Sequence, residues 1–192
     1  MDIAYHDLDI TVVEGPRLSD ETMSEIAHLR KTVWQAIAPE GARRTDNQWI
    51  DPIDATALHS YITIEDGIVA AGRVSIHRTM DDFTESSILK ALPDWDPPLP
   101  LGMMGHLVVD PAYRLHGYAT VLDLVRIEAA RQEGAHATAG LMVPWRVNSM
   151  KGLGYREIGP VPGDEHGYLA RDCFLMQKTL SAHVSDGYFG PQ

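Results

Sequence analysis

Cysteine is nearly missing from this chain: Cys173 is the only one in 192 residues. An internal disulfide is therefore excluded, as is a structural zinc site built on clustered thiolates. No apolar run approaches the roughly 18 residues that a membrane-spanning helix requires. The opening MDIAYHDLDI has neither the basic leader nor the apolar stretch of a secretory signal. Positive charge is scarce as well, with 16 Lys and Arg against 27 Asp and Glu and a net charge of −11. That balance argues against a broad nucleic-acid footprint, which needs a basic face. The nine histidines form no ligand-type pair on one short element, so no metal is expected. Internal repeats and low-complexity blocks are lacking too. What remains is a soluble, cytoplasmic protein whose 44% apolar content suffices for one ordinary core. We read residues 1–180 as a single domain and 181–192 as a tail.

The charge is unevenly spread. Residues 1–113 carry 8 basic and 19 acidic side chains, whereas residues 114–156 carry six basic and three acidic ones. A positive segment within an acidic chain suits a small anionic ligand, although a solvated surface accounts for it equally well. An acidic entrance supplied by the first segment would favour a neutral or cationic acceptor over one bearing a carboxylate.

Periodicity predicts alternating strands and helices. Residues 8–13 read as a strand closed by Gly15-Pro16, and Ser19-Asp20 caps a helix to Ile37 on the spacing of Ile26, Leu29, Val33 and Ile37, with Pro39 as its stop. A short helical segment is expected over 53–59. Strands over 60–65 and 68–77 make a hairpin about Asp66-Gly67. A small helix opened by Thr84 covers 84–92, and the four prolines from Pro93 to Pro100 make an irregular loop, a candidate lid or rim. Residues 101–109 form a strand. A long helix follows, carrying Tyr118, Val121, Leu122, Val125 and Ala129 on one face and Gly134 as its cap. Strands over 136–143, 155–159 and 169–179 and a short helix over 145–152 complete the order.

The chemistry lies between the 101–109 strand and the long helix, in Arg114-Leu115-His116-Gly117-Tyr118-Ala119. A helix head presents unpaired N–H groups and a positive dipole end, and glycine lets a phosphate approach closely. The bare pattern arises by chance about once in a thousand positions; its place after a strand and before an amphipathic helix adds weight. The full segment from His106 to Ala119, HLVVDPAYRLHGYA, resembles the acyl-CoA-binding segment of the GNAT acetyltransferase superfamily, and Lys151-Gly152-Leu153-Gly154-Tyr155 resembles its later helix end. The resemblance spans about residues 8–180. Trp49 to Val74, with Asp54, His59 and Ala70-Ala71-Gly72-Arg73-Val74, is similar to the branch related to autoinducer synthases.

The resemblance implies an α/β GNAT fold: a mixed, mostly antiparallel sheet whose fourth and fifth strands splay to form an acyl-CoA cleft flanked by helices. It implies an N-acyltransferase, in the first instance an N-acetyltransferase, that moves an acyl group from acetyl-CoA or another acyl-CoA to an amine of a small molecule or peptide. Homodimerisation is a habit of the family. Leu107, Val108 and Val109 would contact the pantetheine, while Arg114, Leu115, His116, Gly117, Tyr118 and Ala119 would cradle the phosphates. Asn148 is either a pantetheine contact or a helix-surface residue.

Acyl transfer to an amine needs a route for the amine proton and stabilisation of developing charge. His106 has the pKa range for a base. The family's base aligns nearer Gly105, however, and strand alternation leaves His106 either at the thioester or as a structural histidine. Met150 stands where many members carry the tyrosine that protonates the leaving thiolate; Tyr155 is either a substitute acid or a core aromatic. Arg73 and His77 share a strand face with Ser75 that lines the acceptor groove or meets solvent, and Trp34 is core or acceptor contact. Leu115 stands where a small or basic residue is usual. Cys173 reads as a small buried residue. A non-catalytic acyl-CoA sensor is the main competing class, and a dinucleotide-binding domain is disfavoured because the first glycines of its fingerprint are missing.

Overall fold

The structure is a computed structural model that describes residues 8–37, 49–83, 86–163 and 172–180. Seven strands form one open sheet in the order β1 (Asp9–Glu14), β2 (Leu58–Ile64), β3 (Gly67–His77), β4 (Leu101–Val109), β5 (Ala137–Met142), β7 (Cys173–Thr179) and β6 (Arg156–Val161). Every neighbouring pair is antiparallel except β4 and β5. Among the described residues four helices accompany them: α1 (Asp20–Ile37), α2 (Ser86–Ala91), α3 (Tyr118–Gln132) and α4 (Val147–Gly152). No described helix is long and apolar enough to cross a membrane.

The helices cover both faces of the sheet. Ile26, Leu29 and Val33 of α1 pack on Ala71 and Val108, and Ile88 of α2 shares a core with Leu101, Met103 and Leu175. On the other face Leu122 of α3 packs on Ile62 and Ala70, and Ile127 on Val74 and Met104. The ends of these helices follow from local chemistry. Ser19 Oγ accepts from the Thr22 amide at 3.1 Å, as an N-cap should. α3 stops at Gly134, whose φ of 80° lets the Ala135 amide return to the Ala130 carbonyl at 2.9 Å.

Several expectations need correction. The segment over 53–59 is a single 3-10 turn at Pro52–Ala55, and the chain enters β2 at Leu58 because its β-rich run begins there. The hairpin turn lies one residue earlier than expected: Glu65 (φ 49°) and Asp66 (φ 66°) are its two left-handed residues and Gly67 already belongs to β3. The proline-rich loop is no lid. It leads into the start of β4, the end remote from the cleft described below, and Trp95 anchors it by donating Nε1–H to Gln177 at 2.8 Å. Residues 181–192, Pro39, Thr84 and residues 164–171 lie outside the described residues.

Candidate active site

The site begins with a fault in the β3–β4 ladder. Arg73 pairs with Gly105 and Ala71 with Val108, so Gly72 alone faces both His106 and Leu107. The extra residue is a β-bulge. His106 takes it up with a left-handed φ of 51°, and the alternation of β4 inverts. Before the bulge Met104 faces α3; after it Leu107 and Val109 do.

A side chain from α3 fills the fault. The Arg126 guanidinium lies over Gly72, where a Cβ would come within 3.0 Å of its Nε. It donates to the carbonyls of Arg73 (3.2 Å), Gly105 (3.0 Å) and Leu122 (3.2 Å), and to Asp123 Oδ1 at 2.6 Å. The Arg73 and Gly105 carbonyls lie where the bulge interrupts the ladder, and each would otherwise cost a buried, unmade hydrogen bond. Burial pulls the Arg126 pKa below its ordinary value and the Asp123 charge opposes that pull. Asp123, itself buried, also accepts from Arg146, which precedes α4.

Beside the bulge the sheet opens. β4 and β5 pair only at Leu101–Ala137, Gly102–Thr138 and Met103–Ala139, then part while both strands continue. At the fork Gly140 passes so near the Met104 carbonyl that a Cβ would stand 2.8 Å from it. The resulting cleft has a volume of about 340 Å³. Val33 and Trp34 wall it from α1, His106 to Val109 from β4, Leu141 and Met142 from β5, with Trp145 at its rim. Arg114, Arg126, Arg146 and the doubly paired Asp123 supply its charges. Among the described residues, the expected acidic entrance does not extend to the cleft wall.

At one end of the cleft the chain turns through Leu115 (φ 68°) into Gly117 (φ 83°), which caps α3. Thr120 and Val121 return their amides to Gly117 O, whereas those of Tyr118 and Ala119 precede the first helical acceptor. Leu115 is wholly exposed, and His116 stacks on Tyr118 with ring centroids 5.7 Å apart.

A second ionic cluster closes the α1 side of the bulge. Asp54 accepts two hydrogen bonds from Arg30 (2.8 and 3.1 Å) and one from Arg73 (2.9 Å). Burial pushes the Asp54 carboxyl upward, but the two guanidinium groups outweigh it and hold it well below the usual carboxylate range. His59 donates Nε2–H to the Asp54 carbonyl at 2.9 Å, and Asp51 joins Arg73 (3.2 Å) to His106 Nε2 (3.0 Å). Burial, then repulsion by Arg30 and Arg73, keeps the His106 pKa well below its ordinary value, so the ring is neutral at pH 7.

The sequence candidates fall into two groups. Trp34, His106, Leu107, Val108, Val109, Arg114 and Ala119 meet around the cleft, and Leu115, His116, Gly117 and Tyr118 form the loop and helix head at its end. The others lie elsewhere. Tyr155 is in the core beneath α4, hydrogen-bonded to Thr138 at 2.7 Å, and burial raises its pKa to about 12. His77 is buried between Ser75 (2.9 Å) and the Asp82 carbonyl (3.0 Å), so the face it shares with Arg73 is neither solvated nor part of the cleft. Arg73 is committed to Asp51 and Asp54. Asn148 is exposed off the cleft, and Met150 and Cys173 are buried. Sequence reasoning missed Arg30, Asp51, Asp123, Arg126 and Arg146 as parts of the site. The only signal, a weak one, was for Arg126, which stands one turn from Leu122 at the border of the apolar face.

One open sheet with a single parallel pair, a bulge in the first strand of that pair and a glycine-headed helix after it make the GNAT fold. Solved structures agree. Escherichia coli ElaA superposes with a TM-score of 0.65 at 15% identity over 89% of this chain and 99% of its own. An acyl-CoA N-acyltransferase from Pseudomonas aeruginosa gives 0.67 at 14% identity over 90% and 99%. The CoA-dependent acyl-homoserine lactone synthase BjaI, solved with SAM and isopentyl-CoA, gives 0.66 at 14% identity over 88% and 82%. No protein-family model matches the sequence, and no curated protein matches it.

Proposed function

We propose that the protein is an acyl-CoA-dependent N-acyltransferase, in its simplest form an N-acetyltransferase, that passes the acyl group directly from CoA to an amine of a small molecule or peptide. The observation that carries this reading is the cleft between β4 and β5 running to the Gly117 head of α3. Beyond Met103 the edge of β4 facing β5 makes no ladder bonds, so its amide and carbonyl groups suit the two amides of a pantetheine arm lying alongside as a surrogate strand. The free amides and positive dipole end of α3 suit the pyrophosphate, with Arg114 beside them. Trp34 and Val33 close the opposite side, where the acceptor would enter.

In this arrangement the amine attacks as its neutral form and its surplus proton passes to water. His106 holds the bulge through Asp51: its Nε2 is engaged there, and the depressed pKa makes the ring a weak base. Activity should therefore rise with pH toward the pKa of the acceptor amine. A cytoplasmic location and a homodimer go with the same reading.

The test is release of CoA thiol from acetyl-CoA and from longer acyl-CoAs across a panel of amines. Thiol release that requires the amine supports the enzyme. One observation favours a second reading, a non-catalytic acyl-CoA sensor: neither tyrosine candidate position supplies an acid to the cleft, since Met150 and Tyr155 are both in the core. Tight acyl-CoA binding without turnover of any amine would select that reading.

A further inference from the structure

Expulsion of a thiolate from a thioester leaves a full negative charge on sulfur, which a cation or acid must meet if the step is to be fast. The cleft wall offers three cations and their uses differ. Arg126 spends its donors on three backbone carbonyls and Asp123. Arg114 is exposed at the phosphate end, with Nε directed at the Val109 carbonyl at 3.4 Å. Arg146 stands across the splay from β4 and lines the cleft with its side chain 19% exposed. Only its Nη2 is engaged among the described residues, by Asp123 and by Met150 Sδ at 3.6 Å. Nε and Nη1 remain for a ligand. Asp123 serves two guanidinium groups, so the cluster holds one positive charge in excess, at a wall of low polarity where charge acts strongly.

Resting on the acyltransferase reading, we propose that Arg146 receives the negative charge of the departing CoA sulfur, fixed in place by Asp123. The amine nitrogen bonds to the thioester carbonyl carbon, the C–S bond breaks with its electron pair on sulfur, and the thiolate leaves against the guanidinium. The nitrogen gives its surplus proton to water. No acid is required, which accounts for the lack of one among the described residues of the cleft. Among the described residues, Arg114, Arg126, Asp123 and His106 are the other titratable or charged groups facing this space.

The test titrates the thiol of CoA bound to the whole protein, read by thiolate absorbance in the ultraviolet. In the wild type the bound thiol should titrate about one pH unit below free CoA, a tenfold gain in thiolate. Arg146→Gln should bring it back to the free value or higher, and Arg146→Lys should keep most of the shift. In turnover Arg146→Gln should lower kcat at least tenfold with KM for acetyl-CoA changed less than threefold. If Arg146→Met, a second charge-free variant, misfolds, the Gln and Lys pair still decides. Binding of CoA with the same thiol pKa in wild type and Arg146→Gln would overturn this proposal and leave the acyltransferase reading standing. A rise in KM alone, with kcat unchanged, would overturn it too, making Arg146 a binding contact only. Failure of CoA to bind at all would remove both.

Discussion

Two arginine clusters flank the same bulge and differ in one charge. On the α1 side Arg30 and Arg73 face Asp54 and Asp51, two against two, sealed from solvent apart from part of Asp51. On the α3 side Arg126 and Arg146 share Asp123 alone, and Arg146 reaches the cleft. A balanced, closed cluster fixes geometry, because any unpaired charge there is costly to desolvate. An unbalanced one that opens on a cleft has a charge to offer an anion. The same residue types thus serve as scaffold on one face of β3–β4 and as part of the site on the other.

Removing the central acid should separate the two most sharply. Asp54→Ala strands two buried guanidinium groups and should cost about 3–5 kcal/mol in urea unfolding. Asp123→Ala should cost less, about 2–3 kcal/mol, since Arg146 can turn into the cleft and recover water. Equal losses would erase the distinction between closed and open.

Acid sensitivity should belong to the closed cluster. His59 and His106 have folded pKa values lowered chiefly by burial, so the unfolded chain binds their protons first. Stability is then lost as pH falls below about 6.5, their unfolded value. Asp54 is depressed in the fold, so its contribution is present above about pH 4 and is lost as pH falls further toward its folded value. Unfolding measured from pH 7 to 3 should show both limbs; His59→Gln should flatten the upper one and Asp54→Asn the lower one. A wild-type profile flat from pH 7 to 5 would contradict the assignment of neutral, buried imidazoles.

The smallest effect concerns the plug of the bulge. A Cβ at Gly72 would press on Arg126 at 3.0 Å, a contact the side chain can ease by a slight shift. Gly72→Ala should cost about 1 kcal/mol, and much of that should vanish in an Arg126→Met background. Additive losses in the double variant would mean that the two residues do not press on each other.

The elements were legible where periodicity and punctuation agree: α1 behind Ser19, the β2–β3 hairpin, β4, and α3 ending at Gly134. The turn into α3 was legible because its signal is local, a glycine between a strand and a helix. A bulge in β4 follows from the resemblance alone, just after His106; that His106 itself is the extra residue was not legible, since nothing in HLVV marks it and it depends on an arginine from a helix twenty residues later. Asp123 and Arg126 read as ordinary helix polarity, and their burial follows from a gap in a ladder that only the assembled sheet contains. Leu58 to Ser60 could extend either a helix or a strand, and pairing with β1 and β3 decided it.

Calorimetric titration of acetyl-CoA into the wild type and Gly117→Val tests the central claim most directly. Gly117 has a φ of 83° at the head of α3, where a β-branched side chain is strained and would crowd a phosphate. The account predicts measurable binding to the wild type and at least a tenfold loss of affinity, about 1.4 kcal/mol, in a variant whose circular dichroism shows it folded. Equal affinity in the folded variant would contradict it, because the pyrophosphate would then not rest on the head of α3.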